Sequence, residues 1–196
     1  MALVVVFIII FVYGMVTAPN FLTLFNLKTI IRDAALVGIM AIGLTFVTLS
    51  GNFFLLSMKE AAALCIIAFA TGMASGWGFE LSFLFTMVFA LLAGISQGAL
   101  IGIGGNPIVV TLGAAGVLYG LGAYWSDNLV VSYRRPHGAE WLGTGSFLGL
   151  PNITVAFILI AISAELLLRK TSFGRQVYLI GANRAAGRAT GHENFW

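Results

Sequence analysis

Hydrophobic positions in this chain come in long unbroken blocks, without the alternation or one-sided stripes of a soluble fold. Residues 1–27, 34–58, 61–79, 81–126 and 141–164 contain no Asp, Glu, Lys or Arg. A helix rises about 1.5 Å per residue, so about 20 apolar residues cross the roughly 30 Å of bilayer hydrocarbon. Each block can hold one such helix, and 81–126 is long enough for two. Barrel strands would alternate apolar and polar residues, and these blocks do not. The predicted fold is an all-α membrane protein, a polytopic transmembrane helix bundle with about five to six hydrophobic segments.

Polar punctuation sets the predicted boundaries. Segment 2–18 ends at Pro19-Asn20, because proline cannot continue a helix. It reads as a retained span rather than a cleaved signal peptide, since no basic residue precedes it. Residues 21–33, with Lys28 and Arg32, read as an interfacial lead into a span at 34–50. Gly51-Asn52 is a turn pair, and Lys59-Glu60 follows closely. This stretch is either a surface loop or an irregular re-entrant break. Segment 61–75 is short and closes at Gly76-Trp77-Gly78. Segment 81–103 ends at Gly104-Gly105-Asn106-Pro107, and Pro107 suits the first turn of the next helix, 108–125. Residues 126–151 form the longest polar connection, with Asp127, Arg134, Arg135, His137 and Glu140. The last apolar segment, 152–168, stops at Arg169-Lys170.

Composition narrows the class. Of the 196 residues 60% are apolar and 9% charged, with a mean hydropathy of +1.01. Soluble domains lie near 45–50% and about 25%, so a free-standing globule is excluded, as is disorder. The 24 glycines follow no collagen period. Cys65 stands alone and cannot form an intramolecular disulfide. The net charge of +3 is too dispersed for a nucleic-acid footprint. Its placement matters more. Arg169, Lys170, Arg175, Arg184 and Arg188 crowd the C-terminal tail against Glu193 alone. The positive-inside bias then makes that tail cytoplasmic. It puts 126–151 outside and the Lys28/Arg32 connection inside. The chain divides into a transmembrane region, 1–168, and a cytoplasmic segment, 169–196.

Candidate chemistry is sparse. Ala90, Gly94, Gly98 and Gly102 recur every fourth residue, a small-residue stripe that lets a neighbouring backbone approach. Thr45, Thr48 and Ser50 carry hydroxyls beside Gly51 and Asn52, though hydroxyls in helices often bond back to their own backbone. An unwound break at Gly51 is tolerated at membrane depth only where it is covered by protein or lines a cavity. Gly94-Ile95-Ser96-Gln97 superficially resembles an intramembrane serine-protease motif. Such a site needs a nearby base, and His137 and His192 both lie outside the apolar blocks. No Walker-type phosphate loop is present, and neither a metal site nor a cofactor is expected.

Several stretches resemble the permeases of ribose and other simple-sugar ABC importers. They are Asn20-Phe21-Leu22-Thr23 with Asn26-Leu27, and Ala41-Ile42-Gly43-Leu44-Thr45-Phe46-Val47. Ser50-Gly51-Asn52-Phe53 and Pro107-Ile108-Val109-Val110-Thr111-Leu112-Gly113 continue the match. The most specific block is Thr171-Ser172-Phe173-Gly174-Arg175-Gln176-Val177-Tyr178-Leu179-Ile180-Gly181-Ala182-Asn183. The chain departs from the family at Phe54, where an Asp is usual. The resemblance implies a non-enzymatic subunit in the bacterial inner membrane, forming part of a sugar path. It implies an ATP-binding-cassette ATPase docked on Phe173, Gly174, Arg175, Tyr178, Gly181, Asn183 and Arg184. It also implies a periplasmic or lipoprotein sugar-binding protein, a second permease subunit (a copy or a homologue), and membrane lipid as surroundings. Thr45, Ser50, Gly51 and Asn52 then fall on the path. Against the family the chain reads as C-terminally truncated, and a non-functional permease fragment is the competing expectation.

Overall fold

The computed structural model describes residues 2–51, 55–132, 139–147 and 149–182. These form α1 (Ala2–Thr17), α2 (Leu24–Leu49), α3 (Met58–Ala74), α4 (Gly78–Gly102) and α5 (Pro107–Ser126). A short α6 (Ala139–Gly143) and a two-residue hairpin, β1 (Ser146–Phe147) and β2 (Leu150–Pro151), follow. The chain continues as α7 (Asn152–Lys170) and α8 (Ser172–Ala182). Among the described residues four helices are long and apolar enough to cross a membrane: α2, α4, α5 and α7. α1, at 16 residues, and α3, at 17, are shorter.

Side-chain caps set two of the helix starts. The Asn106 side chain accepts from the Ile108 and Val109 amides at 3.0 and 3.4 Å, with Pro107 next in the first turn. That satisfies amides a helix start leaves unpaired. Thr23 caps α2 by accepting from the Asn26 amide at 3.4 Å. The Asn26 side chain donates back to the Phe21 carbonyl at 2.7 Å. Phe21 in turn packs on Gly14, where a Cβ would come within 2.7 Å of its ring, and edge-on against Phe11. The Asn20–Thr23 block is therefore a clasp between α1 and α2.

That clasp corrects the reading of 21–33 as a separate interfacial segment. Residues 24–33 are the opening turns of one continuous helix of 26 residues, about 39 Å long. A capped start and uninterrupted backbone bonding carry the helix through Lys28 and Arg32 despite their charge.

Packing falls into two groups. In the first, α3 lies between α4 and α5. A Cβ on Gly72 would sit 2.7 Å from Ser82 Oγ, and Gly122 of α5 lies against Leu64 and Ile67. The Ser57 hydroxyl donates to Gln97 Oε1 at 2.5 Å. Thus α3 starts level with the end of α4, and the two run antiparallel. The second group joins α2, α7 and α8. Gly38 meets Phe157, a cleft places Thr45 and Phe46 beside Ala161, Ala164 and Leu168, and Leu49 meets Gly181. Residue order is the same on both helices, so α2 and α7 are parallel. α6, the hairpin and Asn152 brace the start of α7, with Asn152 Nδ2 donating to the Trp141 carbonyl at 2.5 Å.

Parallel packing overturns one expectation. Lys28 and Arg32 lie at the end of the bundle away from Arg169 and Lys170, not with them. The reason is α2 itself: it crosses without reversal, and its far end, Leu49, is the one seated beside the C-terminal turns of α7. Buried side chains are few, led by Leu64, Ala68, Met73, Ala35, Leu118 and Val177. In the most apolar window only 6% of α2 and 6% of α4 are buried. The remaining apolar surface suits lipid or a partner chain, since hydrocarbon solvates leucine as well as a protein core does.

Candidate coupling and translocation site

α8 begins at a tight reversal. Thr171 ends α7 in extended conformation, and its Oγ1 accepts from the Gly174 amide at 3.3 Å. The same hydroxyl donates to the Leu167 carbonyl at 2.6 Å. A Cβ on Gly174 would run into the Leu168 carbonyl. The threonine and glycine of the Thr171–Arg175 block therefore make the turn.

The seven residues predicted for ATPase coupling divide by face. Gly174 is buried together with Val177; Gly181, itself exposed, aims its Cβ position at the Leu49 carbonyl. Phe173, Arg175 and Tyr178 are exposed, as is Leu179. Phe173 also leans on Phe46 of α2, ring centroids 6.4 Å apart. Asn183 and Arg184 lie outside the described residues, as does Arg188. The described coupling residues thus form a glycine side that touches the backbone of α2 and α7 and an outward side with aromatic and cationic groups, beside which Leu179 is also exposed.

The path residues sit at the end of α2. Thr45 donates to the Ala41 carbonyl at 2.8 Å, Thr48 to Leu44 at 2.9 Å and Ser50 to Val47 at 2.7 Å. All three hydroxyls are thus engaged with their own helix. Thr45 also borders the cleft between α2 and α7, with Ile42, Phe46, Ala161, Ala164, Glu165 and Leu168. Its volume, about 130 Å³, falls below the roughly 300 Å³ at which small-molecule sites begin. Within that cleft Glu165 pairs with Arg169 one turn on. Gly51 takes the left-handed conformation, φ +85°, which glycine adopts without strain. Asn52, Phe53 and Phe54 lie outside the described residues.

Ala90, Gly94 and Gly98 of the small-residue stripe of α4 point away from the described part of the chain, and Gly102 is half-buried. Ala90 and Gly94 are exposed, and a Cβ on Gly94 or Gly98 would meet nothing within 4 Å. α4 packs instead through Ser82 and Gln97, both buried. Ser96, of the protease-like motif, is exposed and donates to the Ala93 carbonyl at 3.0 Å. His137 and His192 lie outside the described residues, with Arg134 and Arg135. The buried Ser57–Gln97 pair was not singled out in the sequence. Its signal was there: Gln97 is the one glutamine in the apolar block 81–126, and an amide in such a block needs a partner.

Residues 26–196 match the family described as branched-chain amino acid transport system / permease component. The chain belongs to this permease family. The match starts after the Asn20–Thr23 clasp and takes in α7 and α8. Among relatives, the ribose import permease protein of Bacillus subtilis is 31% identical over 175 residues, 88% of this chain and 54% of its own length. An autoinducer 2 import system permease protein of Klebsiella pneumoniae is 33% identical over 181 residues, 87% and 53% of the two chains. Another from Salmonella paratyphi B is 28% identical over 182 residues, 92% and 52%. This permease chain spans about half the length of these relatives. No solved structure matches it. The resemblance to sugar-importer permeases read from the sequence holds, as does the helical membrane fold. The family and the four span-capable helices make it a protein of the bacterial inner membrane.

Proposed function

We propose that this chain forms part of the translocation path of an ATP-binding-cassette importer for a simple sugar. In this reading α8 is the surface on which a separate ATPase docks. The observation that carries it is the two-sided α8. Its glycine side is fixed to the ends of α2 and α7, and its other side offers exposed Phe173, Arg175, Tyr178 and Leu179. An exposed guanidinium flanked by aromatic groups fits a carboxylate-bearing groove. The relatives named for ribose and autoinducer 2 import support the solute class.

Sidedness follows from charge. With Arg169, Lys170 and Arg175 placed in the cytoplasm, α8 and Gly51 lie there too, and Lys28 and Arg32 lie outside with the 126–151 connection. That outer face would receive a sugar-binding protein. Segment 169–196 is then the cytoplasmic part and 1–168 the transmembrane part. The open faces of α2 and α4 leave room for lipid and for a second permease subunit. The chain contributes a path and a coupling surface, and no bond chemistry.

Co-purification tests the reading. The importer carrying this chain is expected to bring down its ATPase, and Arg175→Glu is expected to weaken that association about tenfold, the scale of one desolvated charge pair. Absence of an ATPase from the wild-type preparation, with and without ATP, would count decisively against it.

A further inference from the structure

The coupling helix and the predicted path residues meet at one place. A Cβ on Gly181 would run into the Leu49 carbonyl and stand 3.3 Å from the Gly51 nitrogen. A Cβ on Gly51 would stand 3.5 Å from Gly181 Cα. Backbone rests on backbone here, with no side chain between. Elsewhere on α2 a Cβ on Gly38 would meet the Phe157 ring and one on Gly43 nothing within 4 Å, so backbone-on-backbone contact is particular to the Gly181 end. Two further contacts fix the junction: Phe173 against Phe46, and Gly174 against Leu168.

We propose that Gly181 is a positioning residue that makes α8 and the last turn of α2 one rigid body. A displacement of α8 then reaches Ser50 and Gly51 undiminished. Side chains between two elements absorb small movements by changing rotamer, whereas touching backbones have no such slack. The glycine is required by contact, since any larger residue would lift α8 off the Leu49 carbonyl. The left-handed Gly51 directly follows, so the transmitted movement arrives at a point where the helix has already ended. The inference rests on the reading of α8 as the ATPase-facing surface.

The experiment uses the assembled importer in a Cys65→Ala background. Spin labels at Thr48→Cys and Ala182→Cys, both exposed positions outside the docking set, are expected to give one narrow distance that does not change when ATP is added. A second distance appearing with ATP overturns the proposal. In parallel, Gly181→Ala is expected to retain the ATPase at the wild-type level. The ATP-dependent change in maleimide labelling of Thr48→Cys should meanwhile fall about tenfold. Gly43→Ala is expected to leave that change intact. A wild-type response in Gly181→Ala overturns the proposal, as does loss of the ATPase from that variant, which would assign Gly181 to docking. Loss of the ATPase from the parent complex would instead sink the functional reading. Should Gly181→Ala fail to fold, the spin-label distances still decide.

Discussion

Gly174 and Gly43 both lie within helices, yet a methyl group has opposite consequences at the two. At Gly174 it runs into the Leu168 carbonyl, and overpacking against backbone typically costs about 1–3 kcal/mol. At Gly43 it meets open space, and replacing a mid-helix glycine by alanine gains about 0.5–1 kcal/mol. Thermal unfolding in detergent micelles is expected to place Gly174→Ala below the parent and Gly43→Ala at or above it. Equal shifts would refute the close approach. The sequence displays both glycines identically, and only the three-dimensional neighbour separates them. The hydroxyls of Thr45, Thr48 and Ser50 teach the related lesson: their spacing suggests a polar lining, but each also has a carbonyl of its own helix within reach.

At the scale of elements, the buried Ser57–Gln97 bond fastens α3 to α4. Interhelical hydrogen bonds inside membranes are worth about 0.6 kcal/mol on average and up to about 1.7. Ser57→Ala and Gln97→Leu should each destabilise the bundle by about 1 kcal/mol. The double variant should cost less than their sum, because no orphaned partner remains. Additive losses would show that the two do not interact. Caps and stops were legible: Asn106-Pro107 opens α5, and Arg169-Lys170 ends α7, as the residues alone indicated. The onset of α2 was not, because Lys28 and Arg32 look like a boundary while the Thr23 cap, ten residues before Asp33, quietly starts the helix. Nor could helix faces be read. Lipid and protein interior are equally apolar, so a span lacks the one-sided stripe that reveals packing in water. The α4 stripe shows the result, since its small residues face outward while Ser82 and Gln97 make the contacts.

For the whole molecule, the parallel course of α2 and α7 fixes which ends share a membrane side. Single cysteines at Leu22→Cys and Leu179→Cys, in a Cys65→Ala background, are expected to react with an impermeant thiol reagent from opposite faces of sealed vesicles. Reaction from one face would contradict the parallel arrangement. The charges alone suggested the reverse for Lys28 and Arg32, because the positive-inside bias counts residues and has no knowledge of which helices pair. The same pairing bears on how the chain is made. α2 and α7 are separated in synthesis by α3, α4 and α5, which can settle against one another as they emerge. α2 therefore enters the bilayer with no helix of its own group beside it, and its Gly38 notch stays vacant until Phe157 arrives. Assembly ends with a late closure of the first long helix on the last. Any stall in translation before residue 157 leaves α3, α4 and α5 beside an α2 held only by its clasp to α1.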